Sequence, residues 1–298
     1  MIYHVRHRTT YLYSEPVSLC HNLVHLAPRK AARQACLKTR LHIDPAPAVS
    51  HDGVDYFGNP VTSFTVQEAH EELEVSAEHL VDVRPYEPPD AAVTPPWEEV
   101  ARSLREDRTR AGLEAGEFLY DSPYVATNPD LREYALGSFL PGRPWLEAVL
   151  DLTARIHREF RYDSKATTVA TPLSEAFAAR RGVCQDFAHV QIGSLRSIGL
   201  PARYVSGYLL TTPPPGRPRL VGADASHAWV SAYCPGLGWV DADPTNNLVP
   251  SDKHVLLAWG RDYDDVCPIK GVILGGGEHT VKVAVDVAPA TGEGVMMF

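Results

Sequence analysis

Residues 180 to 189 read RRGVCQDFAH, with Cys184 two residues after a glycine and at the start of a helical pattern. At a helix N-terminus several backbone N–H groups have no partner within the helix, and the helix dipole adds partial positive charge. Both favour thiolate over thiol, so a cysteine held there is equipped to act as a nucleophile. The same N–H groups can hold an oxyanion as it forms, which makes the Cys184 N–H a candidate donor. The competing reading is a small buried apolar residue, since free cysteines are often buried.

A nucleophile of this kind needs a base. His189 is the nearest histidine in sequence, but five residues of helix turn through about 500° and carry it away from Cys184. Helical neighbours face each other at spacings of three and four, so His189 reads as a packed residue. His227 lies in SHAWVSAY, early in a strand-like run flanked by apolar and aromatic residues, where a strand can hold an imidazole opposite a helix end. The third member is then a carboxylate on the next strand. GWVDADPTNN follows across the turn CPGLG and offers Asp241 and Asp243. Two apart on a strand, they share a face. Either can fix the tautomer of His227 and stabilise its imidazolium, and the residues by themselves leave the choice open. Zinc held by Cys184, His227 and an aspartate is the rival chemistry, weakened by the lack of any local ligand pair. No EF-hand spacing is present. The expectation is no metal and no cofactor.

Residues 1–84 read as an antiparallel β domain. In LKTRLHI, Leu37, Thr39, Leu41 and Ile43 alternate with Lys38, Arg40 and His42, the period of a strand with one buried face. VDYFGNPVTSFTV reads as two strands joined at Gly58-Asn59-Pro60. Residues 85–143 open with Pro85, Pro88, Pro89, Pro95 and Pro96, which interrupt regular structure. This is the expected linker and helical connector, with short helices over Trp97–Asp107 and Pro129–Phe139. Residues 144–298 are expected to form the catalytic core, C-terminal strand included. Trp145, Val149, Leu152, Ile156 and Phe160 mark an amphipathic helix. TPLSEAFAARRG reads as a second helix, capped by Thr171, with Pro172 first and Gly182 at its end. A third starts at Cys184 and stops at Gly199 and Pro201. ARYVSGYLL, SHAWVSAY and GWVDAD read as strands, the last two a hairpin, and Pro213 to Arg219 as a proline-rich loop. Val281, Val283, Val285 and Val287 alternate as in a half-buried strand.

The chain has 298 residues, 44% hydrophobic and 22% charged, enough for one large or two ordinary domains. A net charge of −9 and the absence of long Lys/Arg runs argue against nucleic acid or an anionic membrane as partner. No apolar run reaches the roughly 20 residues of a membrane helix, and MIYHVRHRTTYLY does not read as a signal peptide. The five cysteines, Cys20, Cys36, Cys184, Cys234 and Cys267, are odd in number and widely spaced. A disulfide scaffold is not expected, and a reduced, cytoplasmic protein is.

Taken together, GVCQDFAH, GLPARYVSGYL and SHAWVSAYCPGLGWVDADPTN resemble the bacterial transglutaminase-like family, relatives of animal transglutaminases with a papain-like cysteine protease core. The first region, with DYFGN, is similar to the family's N-terminal β domain, and GRDYDDVCPIKGVILGGGEHTVKVAVDV to its C-terminal segment. The resemblance covers nearly the whole chain and is weakest over residues 86–143. It implies an α+β fold in which a central helix packs on an antiparallel sheet. It also implies Cys184 as nucleophile, His227 as base and Asp243, the aspartate directly before Pro-Thr, as orienting acid. Asp186 in CQD matches the pattern too, with a structural role expected from its place in the first helical turn. Trp229 and Trp239 are expected as pocket walls, and Arg203 and Tyr204 as cleft-bordering or packing residues. Arg261, Asp262 and Tyr263 match a family segment without an evident role.

The implied function is acyl transfer on peptide or isopeptide amides through a Cys184 thioester. Resolution by water makes a protease or amidase, the preferred expectation. Resolution by an amine makes a protein-glutamine transglutaminase. Two further readings stand beside these: a non-enzymatic binding module built on the β domain, and a redox-sensing thiol, disfavoured because no resolving cysteine is near in sequence.

Overall fold

The structure is a computed structural model and describes residues 1–211 and 226–290. The proline-rich stretch Pro213 to Arg219 lies outside the described residues. The chain opens with the strands β1 (Ile2–Val24), β2 (Gln34–Asp44), β3 (Val49–Val54), β4 (Pro60–Val66) and β5 (His70–Val83). Short helices follow, α1 (Trp97–Glu106), α2 (Arg110–Gly116) and α3 (Pro129–Leu136), and then α4 (Trp145–Glu159). The pair β6 (Arg161–Tyr162) and β7 (Arg181–Gly182) flanks α5 (Leu173–Ala179). The helix α6 (Cys184–Ser197) leads into β8 (Ala202–Leu209), β9 (Ser226–Cys234), β10 (Gly238–Ala242) and β11 (His254–Gly260). The last elements are α7 (Tyr263–Val266), β12 (Ile269–Gly275) and β13 (His279–Pro289).

The fold is α+β, with two antiparallel sheets. The first runs β2-β5-β1-β4-β3, with β12 and β13 also paired to β1. At 23 residues β1 is long enough to be flanked twice. Its first half lies between β5 and β13, and its second between β4 and β12. The expectation that residues 144–298 keep the C-terminal strand within the core therefore needs correction. The last two strands return to the N-terminal sheet, where the 23-residue β1 is long enough to pair both. Alternation also overstated burial. Val285 and Val287 are buried, but Val281 and Val283 are exposed, and so is Leu37 on β2. These residues lie on sheet surface that no second layer covers.

The second sheet runs β10-β9-β8-β11. The β9–β10 turn uses Gly236 and Gly238, both at φ 82°, where a side chain would be strained. On this sheet lies α6, in which every residue from Gln185 to Arg196 is buried. It is a central helix rather than an amphipathic surface one. It stops where the sequence indicates, with Gly199 at φ 82° and the Leu200 N–H bonded back to the Leu195 carbonyl at 3.0 Å. The end of α5 differs from expectation. Thr171 does not cap it, Pro172 stands at the N-cap, and Arg180 at φ 53° ends it. The Arg180 guanidinium lies over the rings of Tyr134, Phe160 and Phe177, which hold that residue in place.

One hydrophobic core joins the two sheets, running from Tyr3, Val5, Val81 and Val287 through Trp145 and Leu152 to Phe187, Val230 and Val255. Side-chain amides seal the outer edge of β11. Gln34 bonds both backbone groups of Leu256, at 2.7 and 2.8 Å, and Asn59 bonds both of Trp259, at 2.8 and 3.0 Å. These amides stand in for a missing strand and fix the N-terminal sheet against the core.

Candidate active site

Cys184 is the first residue of α6, half-buried, with Val183 as N-cap. The carboxylate of Asp186 folds back over this turn. Its Oδ2 accepts from the Val183 N–H at 2.7 Å and from the Thr167 hydroxyl at 2.7 Å. Burial pushes the Asp186 carboxyl up, opposed by these hydrogen bonds. A Cβ on Gly182 would strike this carboxylate, so a glycine is required there. Asp186 thus anchors the turn that presents the thiol, the structural role its position indicates.

His227 stands opposite Gly207 in the β8–β9 register, on the face that also carries Trp229. The Trp229 ring occupies the space a Cβ on Gly207 would need. It then lies against His227, with ring centres 6.1 Å apart. Asp243 follows the end of β10 and is fully buried. Its Oδ2 accepts from His227 Nε2 at 2.7 Å, Asn246 Nδ2 at 2.8 Å and His254 Nε2 at 3.2 Å. Its Oδ1 accepts from the backbone N–H groups of Thr245 at 2.9 Å and Asn246 at 3.1 Å. Five donors hold the carboxyl far below its usual range against the opposing effect of burial.

Burial acts to lower the His227 imidazole, but hydrogen bonds to Asp243 and to Cys184 outweigh it and hold its proton up to about 10. With Nε2 engaged by Asp243, Nδ1 is the nitrogen left for the thiol. The structure therefore brings Cys184, His227 and Asp243 into one line of contact. It leaves the other candidates outside it. Asp241 sits opposite Ser231, four residues along β9 from His227, and lies 3.8 Å from Arg33. His189 is packed against Tyr124 and Tyr204, and its Nε2 accepts from the Tyr263 N–H at 3.2 Å.

The remaining family positions are accounted for by packing. Arg261 is held by Asp265 through two hydrogen bonds of 2.9 Å. Asp262 caps α7 and accepts from the Tyr124 N–H at 2.7 Å. Trp229 and Trp239 wall a cavity between the two sheets, and Arg203 lies in the same wall. Tyr204 is buried in the core. The sequence reading missed two residues, Asn246 and His254. Asn246 carried a signal, three residues after Asp243 in a turn-rich DPTNN. His254 carried none, because only the β11–β8 pairing brings it to Asp243. His227, Asp243 and His254 place one donor atom each within 4.8 Å of one another, a metal-like grouping among the described residues. In this structure both imidazoles and Asn246 Nδ2 are engaged with the same Oδ2.

Comparison with known proteins agrees with this fold. Residues 3–82 match the bacterial transglutaminase-like N-terminal region, and residues 139–244 the transglutaminase-like superfamily. The chain belongs to this superfamily, as a protein with the bacterial transglutaminase-like N-terminal region. An uncharacterized protein of Mycobacterium tuberculosis is 42% identical over 304 residues, covering 98% of this chain and 94% of that one. A protein-glutamine gamma-glutamyltransferase of Pseudomonas aeruginosa is 34% identical over 107 residues, 33% of this chain but 16% of that protein. A crystal structure from Cytophaga hutchinsonii, described as a candidate cysteine protease, superposes with a TM-score of 0.75 at 22% identity. It covers 97% of this chain and 90% of that one, and shows the shared fold. Membership supports cysteine-based acyl transfer as the general chemistry. Among the described residues, no helix is long and apolar enough to cross a membrane.

Proposed function

We propose that this protein is a cysteine-dependent amide hydrolase acting on peptide or isopeptide bonds, with Cys184 as nucleophile, His227 as base and Asp243 as orienting acid. The observation that carries the proposal is the Asp243–His227 contact of 2.7 Å, with Cys184 as a further hydrogen-bond partner of His227. Cys184 and His227 act as a thiolate–imidazolium pair with the thiol proton resting on His227, and the sulfur attacks the amide carbon while the carbonyl electrons move to oxygen. The Cys184 N–H is one donor to that oxyanion. The tetrahedral intermediate collapses, the C–N bond breaks, and the imidazolium gives its proton to the leaving amine. A thioester remains. His227 then takes a proton from water, the hydroxide oxygen attacks the thioester, and a carboxylic acid and the thiol are released.

Transamidation is the second reading, favoured by the local similarity to a protein-glutamine gamma-glutamyltransferase. There an amine replaces water in the last step, and the two outcomes divide according to how well the site excludes water. The test uses a γ-glutamyl or peptide amide with and without a primary amine. Ammonia release with a free acid product supports hydrolysis; incorporation of the amine at the expense of acid supports transfer. A Cys184→Ala protein retaining either activity refutes both.

A further inference from the structure

Behind the Asp243 end of this site, the N-terminal sheet and the four-stranded sheet border a partly open cavity of about 260 Å³. Cys184 is not among its lining residues. A protein cavity of about 150 Å³ accepts benzene, so this one has room for a body of about ten non-hydrogen atoms. Much of its wall is aromatic or aliphatic, with Trp229, Trp239 and Trp259 from three strands.

Three buried polar atoms in that wall have no hydrogen-bond partner: Arg203 Nε, Trp229 Nε1 and His254 Nδ1. Their residues are 8%, 1% and 6% exposed. Native proteins pair nearly all such groups, so three on one cavity point to a partner that the chain does not supply. The amide of Gln34 and the hydroxyl of Ser251, in the same wall, are satisfied. Gln34 is bonded to Leu256 and Arg29, and Ser251 to the backbone of Tyr86.

Arg203 is the most telling of the three. Its guanidinium is layered between the Trp239 and Trp259 rings, 4.1 and 3.7 Å from their centres. Both faces are covered, so only the N–H edge is left to bond. Asp241 is its nearby carboxylate in charge terms, yet Asp241 also lies 3.8 Å from Arg33. With Arg33 and Arg203 against Asp241, the charged residues of the wall leave one positive charge in surplus.

We infer that this cavity binds a small monocarboxylate with a compact apolar body, the carboxylate on the N–H groups of Arg203 and Trp229 and the body among the tryptophans. The two unpartnered donors match the two carboxylate oxygens, and the surplus charge matches a monoanion. His254, with Nε2 on Asp243, offers Nδ1 as an acceptor to a ligand hydroxyl. This site goes beyond the proposed acyl transfer and does not depend on the thiol.

The test is calorimetric titration of the full chain with benzoate, benzamide and benzylammonium, which share a shape and differ in charge. Benzoate is expected to bind saturably at one site, and benzamide at least about tenfold more weakly. Benzylammonium is expected not to bind. Arg203→Gln weakens benzoate by about tenfold or more, with circular dichroism confirming the fold. Should that variant not fold, Trp229→Phe keeps a ring, removes one donor and weakens benzoate about threefold to tenfold. Cys184→Ala binds as wild type, which separates this site from the acyl-transfer reading. Benzamide binding as tightly as benzoate would overturn the inference in favour of an apolar hole. So would the absence of saturable heat up to about 10 mM benzoate, which would leave a cavity filled by water.

Discussion

Replacing Asp243 by asparagine is the sharpest probe of this site. The carboxylate accepts five hydrogen bonds in full burial, three of them on Oδ2 from His227, Asn246 and His254. An asparagine that keeps its oxygen toward the two backbone N–H groups turns an NH₂ toward three donors. Removing one partner of a buried charged pair costs about 3–5 kcal/mol, and that is the expected loss of stability at pH 7. The pH dependence follows from His227. Its folded midpoint is raised from 6.5 to about 10, so the stabilisation is fully present below about pH 6.5 and lost as the pH rises through about 10. The gap between wild type and Asp243→Asn should therefore be widest below pH 6.5 and narrow toward pH 10. Without the carboxylate, burial is opposed by Cys184 alone, and the imidazole should titrate below about 10. Urea unfolding of both proteins from pH 5 to pH 10 measures the gap, and NMR of the His227 ring measures the titration. On a peptide amide substrate, kcat should fall by about 10³- to 10⁴-fold. An Asp243→Asn protein as stable as wild type at every pH, with an unchanged His227 titration, would refute the account of this carboxylate.

Alkylation by iodoacetamide at pH 7 should strike Cys184 first, because burial pushes the thiols of Cys20, Cys36 and Cys267 up and that of Cys234 up to about 11. His227→Ala should slow alkylation of Cys184 by about tenfold or more while leaving the other four unchanged, as read by peptide mass spectrometry; equal rates at Cys184 and Cys20 would count against the nucleophile. Asn246→Ala removes one donor from Asp243 and should lower kcat by about tenfold with little change in KM, whereas a purely structural role would lower stability and leave kcat intact. Gly207→Ala places a methyl against the Val255 carbonyl and the Trp229 ring. It should cost about 1–3 kcal/mol in urea unfolding and disturb His227 through Trp229.

What the chain reveals locally and what it hides follow from the range of the forces involved. The start of α6 at Cys184, its stop at Gly199 and the β9–β10 turn at Gly236 and Gly238 are local matters, set by capping, backbone freedom and spacing within a few residues. The aromatic and apolar periods likewise mark α4 and the strands. Local rules failed where burial depends on what lies above an element. Leu37, Val281 and Val283 alternate like buried residues and face solvent, since alternation describes a strand and not its cover. The end of α5 departs from local rules for the same reason, because rings distant in sequence hold Arg180 in a left-handed turn.

Residue types and their spacing alone place a thiol at a helix start, put an imidazole and two carboxylates on neighbouring strands after it, and show the family's order of motifs. Tertiary structure decided the rest. Register along β9 put Asp241 opposite Ser231, while the turn after β10 brought Asp243 onto His227. The pairing of β11 with β8 carried His254 to the same carboxylate. The return of β12 and β13 to β1 put the two ends of the chain in one sheet. The packing of that sheet on the core enclosed Arg203 between two tryptophans. Each depends on contacts between segments tens to hundreds of residues apart. Their energy comes from burial and hydrogen bonding that exist only once the two sheets have met.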